Sequence, residues 1–135
     1  MASALPTWLL HTVLIAVGGA SGALLRGGLN VVGKRQFAEV GWPVATFAAN
    51  ALGCLAIGVL HVVLTEKFAE RPELRSALVV GLLGALTTFS TYGLEVALLA
   101  EDRRLLAATG YVLLSNAVGI GLVVLGLRLA RTLVQ

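Results

Sequence analysis

Thr87, Thr88, Ser90 and Thr91 crowd with Gly81, Gly84 and Gly93 around the middle of a charge-free segment that runs from Ser76 to Leu94. Hydroxyl side chains compete for backbone hydrogen-bonding groups, and glycine lowers the cost of leaving helical geometry. Two arrangements satisfy such a stretch. In one, the helix breaks mid-segment, freeing carbonyls that can hold a cation and N–H and hydroxyl groups that can face a cavity. In the other, the helix is continuous, its hydroxyls bond back to the preceding turn, and its small residues permit close packing. The residues alone leave both open. Thr46 and Asn50 lie one turn apart on a second apolar run. Leaving the Asn50 amide buried and unpaired would cost roughly 2–7 kcal/mol, so it needs a helix partner, a polar lumen or a ligand. Tyr111, Ser115 and Gly119 share a face of a fourth run, with Asn116 beside them. That stripe suits a lined pathway or plain interhelical bonding. Glu95, one turn after Tyr92, falls near enough to the end of its run to reach water and stay ionised.

These residues need long apolar elements to carry them. Charges cut the chain into four segments, expected as helices at about 7–32, 40–65, 75–100 and 104–131, each near or above the roughly 20 residues that cross a hydrocarbon core. The sustained two-residue alternation of a transmembrane barrel is missing. The fold class expected is an all-α integral membrane protein, one domain over residues 1–135. The first segment contains Gly18-Gly19-Ala20-Ser21-Gly22, a small face that favours close helix approach. It then reaches Arg26, which can snorkel outward or raise the local anion concentration at a pore mouth. The N-terminus lacks the basic region of a signal peptide and reads as the first span.

Composition narrows the function classes. Apolar residues are 58% and charged residues 13% of the chain, about half the charge of a soluble domain. The net charge of +3 resides in short loops and helix ends, where it faces lipid headgroups, with no basic-aromatic cluster to suggest nucleic acid. Cys54 sits alone in an apolar run and reads as a small buried hydrophobe. His11 and His61 also stand alone, and no nucleophile–base pair or metal-ligand cluster suggests an enzyme. Lys67, Arg71, Arg75, Arg128 and Arg131 on one face balance Lys34, Arg35, Arg103, Arg104 and Arg26 on the other. A chain without charge bias can insert in both directions, and two opposed copies could then pair antiparallel.

Three ordered stretches resemble one family. Gly84-Ala85-Leu86-Thr87-Thr88-Phe89-Ser90-Thr91-Tyr92 looks like the GGxTTFSTF signature of the Fluc (CrcB-type) fluoride channels. Gly18-Gly19-Ala20-Ser21-Gly22-Ala23-Leu24-Leu25-Arg26 resembles its GGxxGAxxR. Trp42-Pro43 through Thr46, Asn50 and Gly53 resembles its [FW]P-x-x-T-x-x-x-N-x-x-G. The resemblance implies an antiparallel, dual-topology homodimer in a bacterial inner (plasma) membrane, with a broken third helix and two pores. It implies passive export of cytoplasmic fluoride, hence fluoride resistance. It also implies a structural sodium ion at the dimer centre on the backbone carbonyls of Gly84 and Thr87. The fluoride path would be lined by Phe89 and Tyr92, Asn50 with Thr46, the hydroxyls of Ser90 and Thr91, and the fourth-helix track of Tyr111 and Ser115. Arg26 and Glu95 would stand nearby. Tyr92 replaces the signature's second phenylalanine, Ala85 its second glycine, and Gly119 offers no side chain where some relatives carry a hydroxyl. The alternatives are a small four-helix, dual-topology drug/proton antiporter, which needs a carboxylate within the membrane, and a scaffold that only binds partners.

Overall fold

The structure, a computed structural model, describes residues 6–37 and 41–134. Among the described residues, four helices are long and apolar enough to cross a membrane: α1 (Thr7–Gln36), α2 (Val44–Glu66), α3 (Pro72–Glu101) and α4 (Leu105–Val134). Even the shortest, at 23 residues, spans about 35 Å at 1.5 Å per residue, which exceeds a hydrocarbon core. Large apolar side chains such as Leu24, Leu106, Ile120 and Leu133 point outward, as lipid-facing positions do. The chain is a multi-pass membrane protein.

The helix ends follow local chemistry. Pro72 opens α3 at the first helical position, where a missing N–H costs nothing. Lys34 and Arg35 occupy the last turn of α1 and complement its dipole, which is one reason α1 runs to Gln36 rather than stopping near residue 32. Likewise α4 carries Arg131 in its last turn and continues to Val134, beyond the expected 131. The second span begins later than expected. Gly41 has φ +60 and Pro43 is the N-cap, so residues 41–43 are not helical; residue 40 lies outside the described residues. Between α3 and α4 the chain reverses at Arg103, which takes a left-handed φ of 58°.

α3 is not a uniform helix. Pro72–Arg75 is α-helical, Ser76–Leu83 is wound as a π-helix, and Gly84–Leu86 returns to α geometry. Thr87 and Thr88 are then extended, with φ/ψ of −83/154 and −152/117, before Phe89–Glu101 resumes as a helix. The broken-helix alternative is therefore the one adopted. The π winding, often found near functional sites, leaves no trace in residue type and was not anticipated.

The four spans pack in two close pairs, α2 with α4 and α1 with the first half of α3. Both crossings depend on glycine. A Cβ on Gly22 would collide with the Leu82 carbonyl of α3. At the other crossing a Cβ on Gly126 would sit 2.5 Å from the Leu55 carbonyl, and one on Gly58 would strike the Val123 carbonyl. Small interface residues of this kind replace the hydrophobic driving force that lipid removes. Two small cores result, one of Ala49, Leu83 and Leu86, the other of Leu99, Ala108 and Tyr111. Substitution Gly58→Val is expected to cost about 1–3 kcal/mol through overpacking, read as a lower thermal midpoint in detergent. Gly110→Ala, where a Cβ meets nothing within 4 Å, should leave that midpoint unchanged or slightly raised.

Candidate functional site

The break in α3 is held from α2. The Thr88 N–H, which in a continuous helix would bond to the Gly84 carbonyl, donates instead to Asn50 Oδ1 at 2.9 Å. Asn50 Nδ2 donates back to the Thr88 carbonyl at 3.2 Å. One side-chain amide thus satisfies both backbone groups of an extended residue inside the membrane, where no water is available to do so. Thr87 completes the end of the first half by donating its hydroxyl to the Leu83 carbonyl at 2.8 Å. Thr88 caps the second half, its Oγ1 accepting from the Thr91 N–H at 3.2 Å. The same hydroxyl lies 3.0 Å from Thr91 Oγ1 and 3.3 Å from Ser90 Oγ. Asn50 retains one amide hydrogen that no described residue takes.

Beside the break opens a cavity of about 390 Å³, lined by Asn50, Cys54, Gly84, Thr87, Thr88 and Phe89 among others. Phe89 is 84% exposed, so its ring edge, which carries partial positive charge, stands free at the cavity rim. Gly84 is exposed, and its carbonyl has lost its helical donor to Asn50. Oxygen ligands of this sort suit a hard monovalent or divalent cation, and among the described residues no cluster of His, Cys, Asp and Glu offers another kind of metal site.

A second cluster lies toward the α1–α2 loop. Glu95 accepts from Thr46 Oγ1 at 2.6 Å and from Tyr111 Oη at 2.9 Å, tying α2, α3 and α4 together. Glu95, expected near enough to the end of its run to reach water, is half-buried with both oxygens engaged. Thr46 is 4% exposed and Tyr111 fully buried, and their hydroxyl hydrogens point at Glu95 rather than into an open path. A cavity of about 250 Å³, lined by Asn30, Lys34, Trp42, Thr46 and Glu95 among others, reaches this triad from the loop end. Between the two clusters runs a chain of aromatic contacts. Phe47 to Trp42, Trp42 to Tyr111, Tyr111 to Tyr92 and Tyr92 to Phe89 have ring centroids 5.1, 5.0, 5.1 and 5.7 Å apart.

The site residues read from sequence are thus mostly brought together. Asn50, Thr87, Thr88, Phe89, Ser90 and Thr91 surround the break, and Thr46, Glu95 and Tyr111 form the triad. Ser115 presents a buried hydroxyl that has no partner among the described residues. Arg26 is not brought to either cluster. It sits half-buried on α1 and forms no ion pair with a described residue. Two contributors were not anticipated: Phe47, which looks like an ordinary apolar residue, and Lys34, which looks like a loop charge. The position of Phe47 carried no signal; only its stacking on Trp42, which in turn meets Tyr111, does. Asn50→Ala is expected to leave the Thr88 N–H and carbonyl unpaired at about 1–3 kcal/mol each. Hydrogen-exchange mass spectrometry should show faster exchange across residues 84–91 in that variant, with α1 protected as before.

The sequence matches the family described as "CrcB-like protein, Camphor Resistance (CrcB)" over residues 13–127. A protein of Hahella chejuensis named fluoride-specific ion channel FluC is 41% identical over 121 residues, covering 90% of this chain and 94% of that one. Fluoride-specific ion channel FluC 2 of Nocardia farcinica is 44% identical over 117 residues, covering 87% and 82%. A FluC of Saccharophagus degradans is 37% identical over 135 residues, covering 99% and 100%. With a four-span fold, a third helix broken at its hydroxyl-rich centre and relatives similar along nearly their whole length, this chain belongs to the CrcB family.

Proposed function

We propose that the chain is a fluoride channel that lets the anion leave the cytoplasm passively, working as a homodimer of two oppositely inserted protomers with two pores. The observation that carries this reading is the break at Thr87–Thr88, which sets a free aromatic edge, the Asn50 amide and the two threonines around one cavity in the middle of a span. Fluoride is small and strongly hydrated, so removing its water requires close donors. Asn50, Ser90, Thr91 and Ser115 supply them. Phe89 and Tyr92 offer ring edges that face an anion without holding it too tightly to leave. The printed names of the relatives agree in substrate.

Two features support the dimer. The cavity beside Phe89 is open on the lone protomer, where a second copy can close it, and the basic residues on the two faces balance, which permits dual topology. At the centre of such a dimer the Gly84 and Thr87 carbonyls of both copies would meet. A sodium ion held there would neutralise those oxygens and stabilise the association, without taking part in conduction. Arg26 would raise the anion concentration near the mouth. The antiporter alternative requires an available carboxylate within the spans, and Glu95 is held by two hydroxyls.

The test is efflux from liposomes loaded with potassium fluoride, with valinomycin carrying the charge and potassium chloride vesicles run beside them. Fast fluoride loss with chloride retained is the expected outcome; retention of both by folded protein would overturn the reading. Phe89→Ile, which removes the ring edge and keeps an apolar side chain, should slow fluoride loss on the order of tenfold. Sodium removal should lower the thermal midpoint of the dimer in detergent.

A further inference from the structure

The tyrosine at position 92 is not isolated. Asn116 of α4 donates from Nδ2 to the Val112 carbonyl at 2.8 Å and to Tyr92 Oη at 3.3 Å. A carbonyl can only accept, so the Val112 bond establishes which end of the Asn116 amide is the nitrogen. Both amide hydrogens are then engaged. The Tyr92 oxygen is an acceptor in this pair, which leaves its own hydrogen to point elsewhere, and no described residue accepts it. The ring is held between Phe89 and Tyr111, with centroids 5.7 and 5.1 Å away, so the hydroxyl has little freedom to turn aside. Tyr111 makes the contrast plain: its hydroxyl hydrogen is committed to Glu95. Of the chain's two tyrosines, only Tyr92 keeps a donor in reserve. Ser115, next to Asn116 on the same helix, holds a second unpartnered hydroxyl.

We propose that Tyr92 and Asn116 form a fluoride-donor subsite, in which the Tyr92 hydroxyl donates to the passing anion and Asn116 is the positioning residue that turns it outward. The proposal rests on the fluoride-conduction reading above and adds to it a site that a phenylalanine at position 92 could not make. A hydroxyl bonded to an anion is shorter and stronger than a neutral pair. Fluoride, the smallest halide, draws the most from one well-aimed O–H. Asn116 strengthens that donor, because an oxygen that accepts one hydrogen bond donates a better one.

The experiment uses the full chain labelled with tyrosine carrying carbon-13 at the ring carbon that bears the hydroxyl. Two signals arise, and Tyr92→Phe identifies the Tyr92 signal by its loss. In detergent the Tyr92 signal should move on titration with potassium fluoride and not with potassium chloride. Asn116→Leu should shift that signal before any fluoride is added and weaken the fluoride response on the order of three- to tenfold; Asn116→Ala serves if the leucine variant does not fold. In liposomes Asn116→Leu should slow fluoride efflux by a similar factor in the parent chain, and change nothing further once Tyr92→Phe is present. A Tyr92 signal indifferent to fluoride, or an Asn116 effect equal in both backgrounds, overturns the subsite. Efflux with a silent Tyr92 signal would sink the subsite and leave the channel standing. A responsive signal without efflux would sink conduction and leave the subsite standing.

Discussion

The pairing of the Asn50 amide with both backbone groups of Thr88 is the constraint on which the rest of the site depends. Inside a membrane an extended residue is tolerated only where its N–H and carbonyl are satisfied by protein. Asn50 does this from a neighbouring helix, imitating the two-bond exchange of paired strands over a single residue. It thereby keeps α3 open at its centre. The opening places Phe89 at the start of a new helix with its ring outward, and it deprives the Gly84 carbonyl of its helical donor. The same amide that holds the break lines the cavity and retains one hydrogen that no described residue takes.

Helix packing makes that geometry reproducible. α2 is pressed to α4 through Gly58 and Gly126, and α1 to the first half of α3 through Gly22. Close backbone contact on both sides leaves α2 little room to move Asn50 away from Thr88. The Glu95 triad adds a polar tie across α2, α3 and α4 midway along the second half-helix. The second half of α3 is thus anchored at its start by Asn50 and at its middle by Thr46 with Tyr111. The aromatic chain from Phe47 to Phe89 fills the space between the anchors. Hydroxyls committed to Glu95 act as scaffold, and those of Ser115 and Tyr92 donate to no described residue.

The arrangement also explains how a small chain can select an anion without a titrating group in the path. Donors that are already oriented need no reorganisation when the ion arrives, and ring edges supply weak, non-binding attraction. A fully charged lysine or arginine at the same depth would hold an anion too strongly to release it, besides being costly to bury. Lys34 sits instead in the last turn of α1, at the cavity that leads to Glu95, and Arg26 lies further back on the same helix.

The sequence by itself determined what periodicity, charge and local motif can carry. Four charge-free runs dictated four spans, because lipid admits no other backbone arrangement of that length. The glycine face at Gly18–Gly22 announced a close crossing, and the crowd of Thr87, Thr88, Ser90 and Thr91 marked the place where a helix might part. It left open whether the helix does part, since hydroxyls satisfy either arrangement. That decision belongs to Asn50, 38 residues away in sequence from Thr88, and only tertiary packing brings them together. For the same reason nothing local discloses that Thr46 and Tyr111 will converge on Glu95. The π-helical winding of Ser76–Leu83, the Trp42–Phe47 contact and the Asn116–Tyr92 bond were likewise settled by the fold. A hydrogen bond between two helices depends on their relative rotation and depth, and neither is written in the spacing of residues along one of them.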